Sequence, residues 1–170
     1  AARVPTAHTM CRAAPLAFLH MASAMAAERV SRRIAVIGGG SGGVVAARFL
    51  KRAGHQPTVF EAGSAFGGVW ADSPTNAVVY KNLQTNLPTV VMQSPDLDFP
   101  QGVPSYITKP QLGQYIADYA ESFGVLPLTK FGSRVTSVAL ASSPSAAGGS
   151  LGEGKGATAW EVRWSTDGAE

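Results

Sequence analysis

From Ile34 to Glu61 the chain runs through a strand, a glycine cluster, a helix and a second strand without interruption, and that order leaves few folds open. Ile34-Ala35-Val36-Ile37 is a short apolar run ending at Gly38, as expected of a parallel strand buried on both faces. Gly38-Gly39-Gly40-Ser41-Gly42-Gly43 comes next, followed by Val44–Ala53 at helical spacing, with Gly54 as its C-terminal stop. Thr58-Val59-Phe60-Glu61 then reads as a second strand. This is a βαβ unit with a right-handed crossover, and it predicts the α/β class.

Glycines number 19 in 170 residues, so Gly-x-Gly-x-x-Gly at 38, 40 and 43 is weak evidence as a bare pattern. Its place between strand and helix gives each glycine a physical task. Gly38 permits the tight turn, Gly40 lets the backbone approach a pyrophosphate, and Gly43 lets the helix pack closely on the sheet. The helix, beginning near Gly42, then offers unpaired amides and the positive end of its dipole to the phosphates. Glu61 ends the second strand, where a carboxylate accepts hydrogen bonds from both ribose hydroxyls of an adenosine and repels a 2′-phosphate. NADP is thereby disfavoured in this first site, and NAD or FAD remains.

Composition removes several other classes. The net charge is +3, but +4 of it lies in residues 1–33, and the remaining 137 residues sum to −1. A body without surplus cations has no electrostatic footprint for nucleic acid. The single cysteine, Cys11, excludes an intrachain disulfide and any multi-cysteine metal site. Of the three histidines only His55 lies in the body, just after Gly54, where it reads as a solvated turn residue. Residues 1–30 form a leader, and residues 1–27 of it are rich in Ala and contain Arg but no acid. That is the composition of a plastid or mitochondrial transit peptide. A secretory signal, from Ala13–Leu19 and Ala22-Ser23-Ala24, and a translated stretch without a role are its rivals; without a transit peptide the expected location is cytoplasmic. No apolar window is long enough to span a membrane.

Residues 62–108 carry Gly67-Gly68 and five prolines and read as long loops packed over a ligand. Thr108-x-x-Gln111 fits a capping box, opening a helix whose Leu112, Tyr115, Ile116, Tyr119, Ala120 and Phe123 form a core stripe. Val135–Leu140 and Trp160–Trp164 read as strands of a hairpin, and the Ser, Ala and Gly-rich stretch 142–156 as a flexible insertion in it.

After Glu61 no helix follows; instead come Phe66-Gly67-Gly68-Val69-Trp70. Here the sequence resembles the flavin-containing monooxygenases. Val79-Tyr80-Lys81-Asn82-Leu83-Gln84-Thr85-Asn86-Leu87-Pro88, then Met92 and Asp96-Leu97-Asp98-Phe99-Pro100, are similar to that family's segment reaching the isoalloxazine, in wording closest to plant-type members. The likeness runs from about Arg32 to Trp164. It implies a Rossmann-type FAD-binding domain of three layers with a β-hairpin or meander. It places Gly38, Gly39, Gly40, Ser41, Gly42 and Glu61 on the ADP half of FAD, with Gly43 closing the turn. Val69 and Trp70 would lie beside the ribose, Asn86 and Leu87 near the flavin, Thr85 and Asn86 against the nicotinamide nucleotide, and the Val135 backbone at adenine. On the residues alone, Trp70 is equally a core side chain and Asn86 an Asx-turn residue.

The activity implied is NADPH-driven reduction of FAD, capture of O2 as a flavin C4a-hydroperoxide, and oxygen transfer to a nucleophilic amine or sulfide, as in N,N-dimethylaniline monooxygenases. Asn86 is the catalytic candidate. Its amide can hydrogen-bond a flavin–nicotinamide assembly as both donor and acceptor. The family's second glycine-rich fold for NADPH, its Phe, Gly and His fingerprint and its returning alanine-threonine-glycine strand are not found in these 170 residues. The expectation is therefore a partial FAD-binding domain over 31–170, incomplete at its C-terminal end. Such a piece would be inactive alone, and its exposed sheet edge would favour self-association. The rival readings are a non-catalytic nucleotide-binding fragment, a Baeyer–Villiger-type monooxygenase, whose tyrosine-rich run Ala71–Val78 does not resemble, and a pyridine-nucleotide flavin reductase, most of which carry a redox cysteine pair absent here.

Overall fold

The computed structural model describes residues 30–71, 79–80, 82–94, 96–141 and 159–166. The expected leader and the insertion at 142–156 lie outside these residues. Every element below belongs to the unit Ser31–Glu170.

Strand β1 (Arg33–Ile37), helix α1 (Ser41–Arg52) and strand β2 (Gln56–Phe60) form the βαβ unit, with β1 and β2 parallel from Arg33↔Gln56 to Ile37↔Phe60. A short 3-10 turn (Gly68–Trp70) and a one-turn helix α2 (Thr89–Met92) interrupt the long loops. Helix α3 (Lys109–Ser122) comes next, and a second 3-10 turn (Leu126–Leu128) leads into the two-residue strand β3 (Thr129–Lys130), parallel to β2. Strands β4 (Ser133–Leu140) and β5 (Trp160–Thr166) form the antiparallel hairpin, with an irregularity between Val135 and Ser137. The sheet order is β1-β2-β3.

Alternation along β2 sorts the layers, because neighbouring side chains on a strand face opposite ways. Val59 is fully buried and clusters with Val36, Val44 and Ala47 beneath α1, whereas the Phe60 ring lies 4.9 Å from Trp164 of β5. Helices thus cover one face of the sheet and the hairpin packs on the other. The aromatic stripe of α3 is core as expected, with Tyr115, Ile116, Tyr119 and Ala120 buried and Phe123 packed against them.

Both long helices stop in the same way. After α1, His55 and Gly54 amides donate to the Leu50 and Lys51 carbonyls, and after α3, Val125 and Gly124 amides donate to those of Ala120 and Glu121. These are Schellman motifs, and Gly54 and Gly124 take the positive φ they require, +90° and +64°. Lys51 Nζ also donates to the Gly124 carbonyl at 3.1 Å, which joins the two helix ends. At the start of α3 the Gln111 side-chain oxygen accepts from the Thr108 amide at 2.9 Å, so the expected capping box forms.

Two expectations are corrected. β1 is not buried on both faces: among the described residues it is the edge of the sheet, and Val36 is buried while Ile37 is 57% exposed. A run of small and branched apolar residues cannot reveal whether a neighbouring strand is present. His55 is not a freely solvated turn residue either; the Schellman turn leaves it half-buried, and its buried Nδ1 has no partner among the described residues. Strand β3 has no counterpart in the sequence reading, since two residues show no periodicity.

Candidate functional site

Three glycine-dependent contacts build the turn between β1 and α1. Gly38 takes φ +96°, and its amide donates to the Phe60 carbonyl at 2.9 Å, holding the end of β1 against β2. A Cβ on Gly43 would sit 1.9 Å from the Gly38 carbonyl oxygen, so only glycine lets α1 start this close to the strand. Gly40 is different. Its φ of −76° suits any residue, and a Cβ there would meet nothing nearer than Gly68 Cα at 3.6 Å. The described residues therefore leave room for a side chain at position 40.

Glu61, one residue beyond β2, locks this turn. One carboxylate oxygen accepts from the Gly39 amide at 2.5 Å and the other from the Gly63 amide at 2.6 Å. The Gly39 carbonyl in turn accepts from the Gly67 amide at 3.1 Å, which brings the second glycine pair over the first. Among the described residues the amides of Gly40, Ser41, Gly42 and Gly43 have no partner, and α1 has no side-chain cap and no acid in its first turn. A row of free amides at a helix N-terminus suits an anion. The residues present therefore fit a dinucleotide pyrophosphate, and each Glu61 oxygen keeps lone-pair capacity for a ribose hydroxyl.

Val69 is 44% exposed beside this double turn, and Trp70 is half-buried against the core. The Trp70 carbonyl comes within 2.6 Å of where a Cβ on Gly113 would stand, so Gly113 lets α3 approach the turn. Val135 is joined to the same region through the backbone. Ser133 donates to the Glu61 carbonyl at 2.8 Å, Gly132 to that of Gly63 at 3.0 Å, and Val135 follows on β4, paired with Trp164.

Thr85, Asn86 and Leu87 form a separate group, held at the start of α3. Thr85 is 7% exposed; its amide donates to the Ile107 carbonyl at 2.8 Å, and its hydroxyl donates to the Leu87 carbonyl at 3.0 Å and accepts from the Ile107 amide at 3.1 Å. Its hydroxyl thus uses its one proton inside the protein and keeps a single acceptor lone pair. Asn86 and Leu87 are exposed, and the Asn86 amide bonds to no described residue, so the Asx turn is not formed.

The sequence reading missed Arg48 and the hydroxyls of Tyr115 and Tyr119. Arg48, 9% exposed on α1, donates to the Tyr119 hydroxyl at 2.7 Å, pairs with Asp96 at 2.6 Å and lies 3.5 Å over the Phe123 ring. The Tyr119 hydroxyl and then Asp96 hold the guanidinium above its ordinary pKa, against the opposing effect of burial. The Tyr115 hydroxyl donates to the Leu97 carbonyl at 2.6 Å and accepts from the Ser94 amide at 2.7 Å. Burial raises its pKa, and the Ser94 amide opposes the rise. A signal was present, since Arg48 shares the apolar stripe of Val44 and Ala47, where a lone cation needs partners. A cleft of about 330 Å³ between α1, α2 and α3, lined by Val45, Phe49, Met92 and Tyr119, touches the phosphate turn only at Ser41.

Comparison with known proteins agrees with this geometry. Residues 31–161 match the family model described as flavin-binding monooxygenase-like. A flavin-containing monooxygenase, ustF1, of Aspergillus flavus is 39% identical over 107 residues, covering 63% of this chain and 26% of that protein. The flavin-containing monooxygenase FMO GS-OX-like 2 of Arabidopsis thaliana is 34% identical over 140 residues, covering 68% and 30%. The chain therefore spans about a quarter to a third of the length of these relatives. The solved structure of S-allyl-L-cysteine S-oxygenase from Allium sativum superposes with a TM-score of 0.57 at 26% identity, over 78% of this chain and 35% of that one. By its glycine turn, its carboxylate lock and this match over most of its length, the chain belongs to the flavin-binding monooxygenase-like family.

Proposed function

We propose that the chain binds FAD along the double glycine turn and forms the FAD-binding part of an NADPH- and O2-dependent monooxygenase acting on nucleophilic nitrogen or sulfur. The carrying observation is the row of amides from Gly40 to Gly43 that are free among the described residues, with Gly68 packed close to Gly40 and Glu61 holding Gly39. A bound FAD supplies the electron transfer and oxygen transfer; the protein's part is to bind, orient and shield it. The Gly40–Gly43 amides hold phosphate oxygens, and the Glu61 carboxylate accepts the adenosine ribose hydroxyls while excluding a 2′-phosphate. Asn86 stands exposed with both amide groups available, able to donate to one ring atom and accept from another without supplying a proton readily. A sulfide substrate is supported by the S-oxygenase named among the structural relatives, and the N,N-dimethylaniline class by the family resemblance.

The test is purification of the full chain with added FAD, recording the visible spectrum and flavin fluorescence beside Glu61→Ala and Gly40→Val. Flavin retained by wild type and lost by both variants supports the reading. Soluble wild type that takes NAD and not FAD overturns it.

A further inference from the structure

The exposed Asn86 turn hangs between two anchorages. Upstream, buried Thr85 is bonded three ways to Ile107 and Leu87. Downstream, the Tyr115 hydroxyl grips both ends of the Ser94–Leu97 bend, and Arg48 holds Asp96 within it. Between them lies only the four-residue α2, and since one helical turn cannot fix its own position in water it is held from outside, by its Thr89 amide on the Ser105 carbonyl at 2.7 Å and by Met92 packed against the core. The place of Asn86 is therefore set from outside its own segment.

The form of the downstream anchor argues for positioning beyond simple packing of α1 on α3. An apolar side chain at position 48 would serve that packing as well as a buried cation. Arginine adds a fork: one arm reaches Tyr119 on α3 while the other extends past both helices to Asp96 in the loop. Similarly, a phenylalanine at 115 would keep the ring stacked on Phe99 at 3.9 Å; only the hydroxyl reaches the loop backbone. We propose that Tyr115 and Arg48 are positioning residues that clamp the Ser94–Leu97 bend to the helix layer and thereby set where Asn86 meets the flavin. The flavin half of this proposal rests on the FAD reading above; the clamp does not.

The experiment uses the full chain as wild type, Tyr115→Phe, Arg48→Lys, Asn86→Ala and the Tyr115→Phe/Asn86→Ala double variant. Amide hydrogen exchange is followed with and without FAD, and flavin fluorescence with FAD. With Tyr115→Phe, exchange across residues 84–99 is expected to quicken about fivefold to tenfold while α1 and α3 keep their wild-type rates. Flavin fluorescence should shift in the sense seen for Asn86→Ala, and the double variant should shift no further than Asn86→Ala alone. Arg48→Lys, lacking the fork, should quicken the same segment. Wild-type exchange at 84–99 in Tyr115→Phe overturns the clamp, and additive fluorescence shifts in the double variant overturn its action through Asn86. If wild type takes no FAD, the parent reading and the flavin half fall together, and the exchange rates still decide the clamp.

Discussion

The phosphate turn and the Asn86 segment are built on opposite principles. At the turn nearly every contact is backbone to backbone, or backbone to the one carboxylate of Glu61; residues 38–43 and 60–68 form it, and the backbone of Lys130, Gly132 and Ser133 closes the Glu61 side. The Asn86 segment has only short turns of its own; its place comes from Ser105, Ile107, Tyr115 and Arg48, which lie 19 to 38 positions away in sequence. A site made of local backbone geometry needs glycines, and glycines are visible in a sequence. A site held by distant side chains needs a folded protein before its logic can be seen.

The largest effect should come from breaking the turn itself. Gly43→Ala places a methyl group 1.9 Å from the Gly38 carbonyl, both atoms belonging to backbone that β1 and α1 fix. The expected cost is about 3 kcal/mol or more, read as a lowered urea midpoint or loss of soluble protein. A destabilisation under about 1 kcal/mol would show that α1 can slide on β1 and that the turn is looser than its packing indicates.

Next comes the side-chain anchorage. Arg48→Met removes a buried fork and leaves the Tyr119 hydroxyl and Asp96 without their shared partner. A loss of about 2 to 3 kcal/mol is expected by urea unfolding, since the Tyr119 hydroxyl is buried and left without its donor and the packing of the guanidinium on Phe123 is lost. Asp96→Asn should cost no more than about 1 kcal/mol, because the Asp96 side chain is 43% exposed and water replaces its partner. Equal losses in the two variants would remove the distinction between the buried and the solvated arm of the fork.

These differences also explain what could be read beforehand. The βαβ unit, the α3 stripe and the hairpin announce themselves through period and punctuation, and Glu61 through its spacing from the glycines. Burial of β1 could not be read, because an apolar run looks alike whether one face or both are covered, and the hairpin packs on Phe60 of β2 while Ile37 beside it stays exposed. The family resemblance places Thr85 against the nicotinamide nucleotide; that its hydroxyl also ties Leu87 to Ile107, the latter 22 residues on, is nothing a local pattern shows. Arg48 stands out as a lone cation on an apolar stripe, but no local pattern names Tyr119 or Asp96 as its partners.

The Tyr115 hydroxyl gives the comparison a pH axis. Burial raises its pKa in the fold above the ordinary value of about 10, so the native state keeps a proton that the unfolded chain has already released. Its stabilising contribution is complete below that unfolded value and is lost as pH climbs through the raised one. Stability should therefore fall on the alkaline side of about pH 10, and Tyr115→Phe should flatten that fall while lowering stability by about 1 kcal/mol at neutral pH. An unchanged alkaline limb in the variant would assign the loss to other groups.

The smallest effect on stability should be the most informative about function. Gly40→Ala puts a methyl group on a residue with φ −76° and ψ −178°, which alanine adopts freely, in space where nothing lies closer than 3.6 Å. Alanine is a poorer N-cap than glycine, but it also narrows the unfolded ensemble, and the two effects oppose each other at roughly 0.5 to 1 kcal/mol apiece. The urea midpoint should hardly move. FAD affinity should nevertheless fall by about tenfold or more, because the methyl group occupies the approach to the free amides of Gly40–Gly43. Gly42→Ala is the internal control: a Cβ there also meets nothing, and it lies inside α1, where alanine favours the helix by about 1 kcal/mol. Stability retained in both, with affinity lost only at position 40, would mean that this glycine is kept for the ligand and not for the fold. Equal affinity in both would mean that phosphate lies elsewhere on the turn.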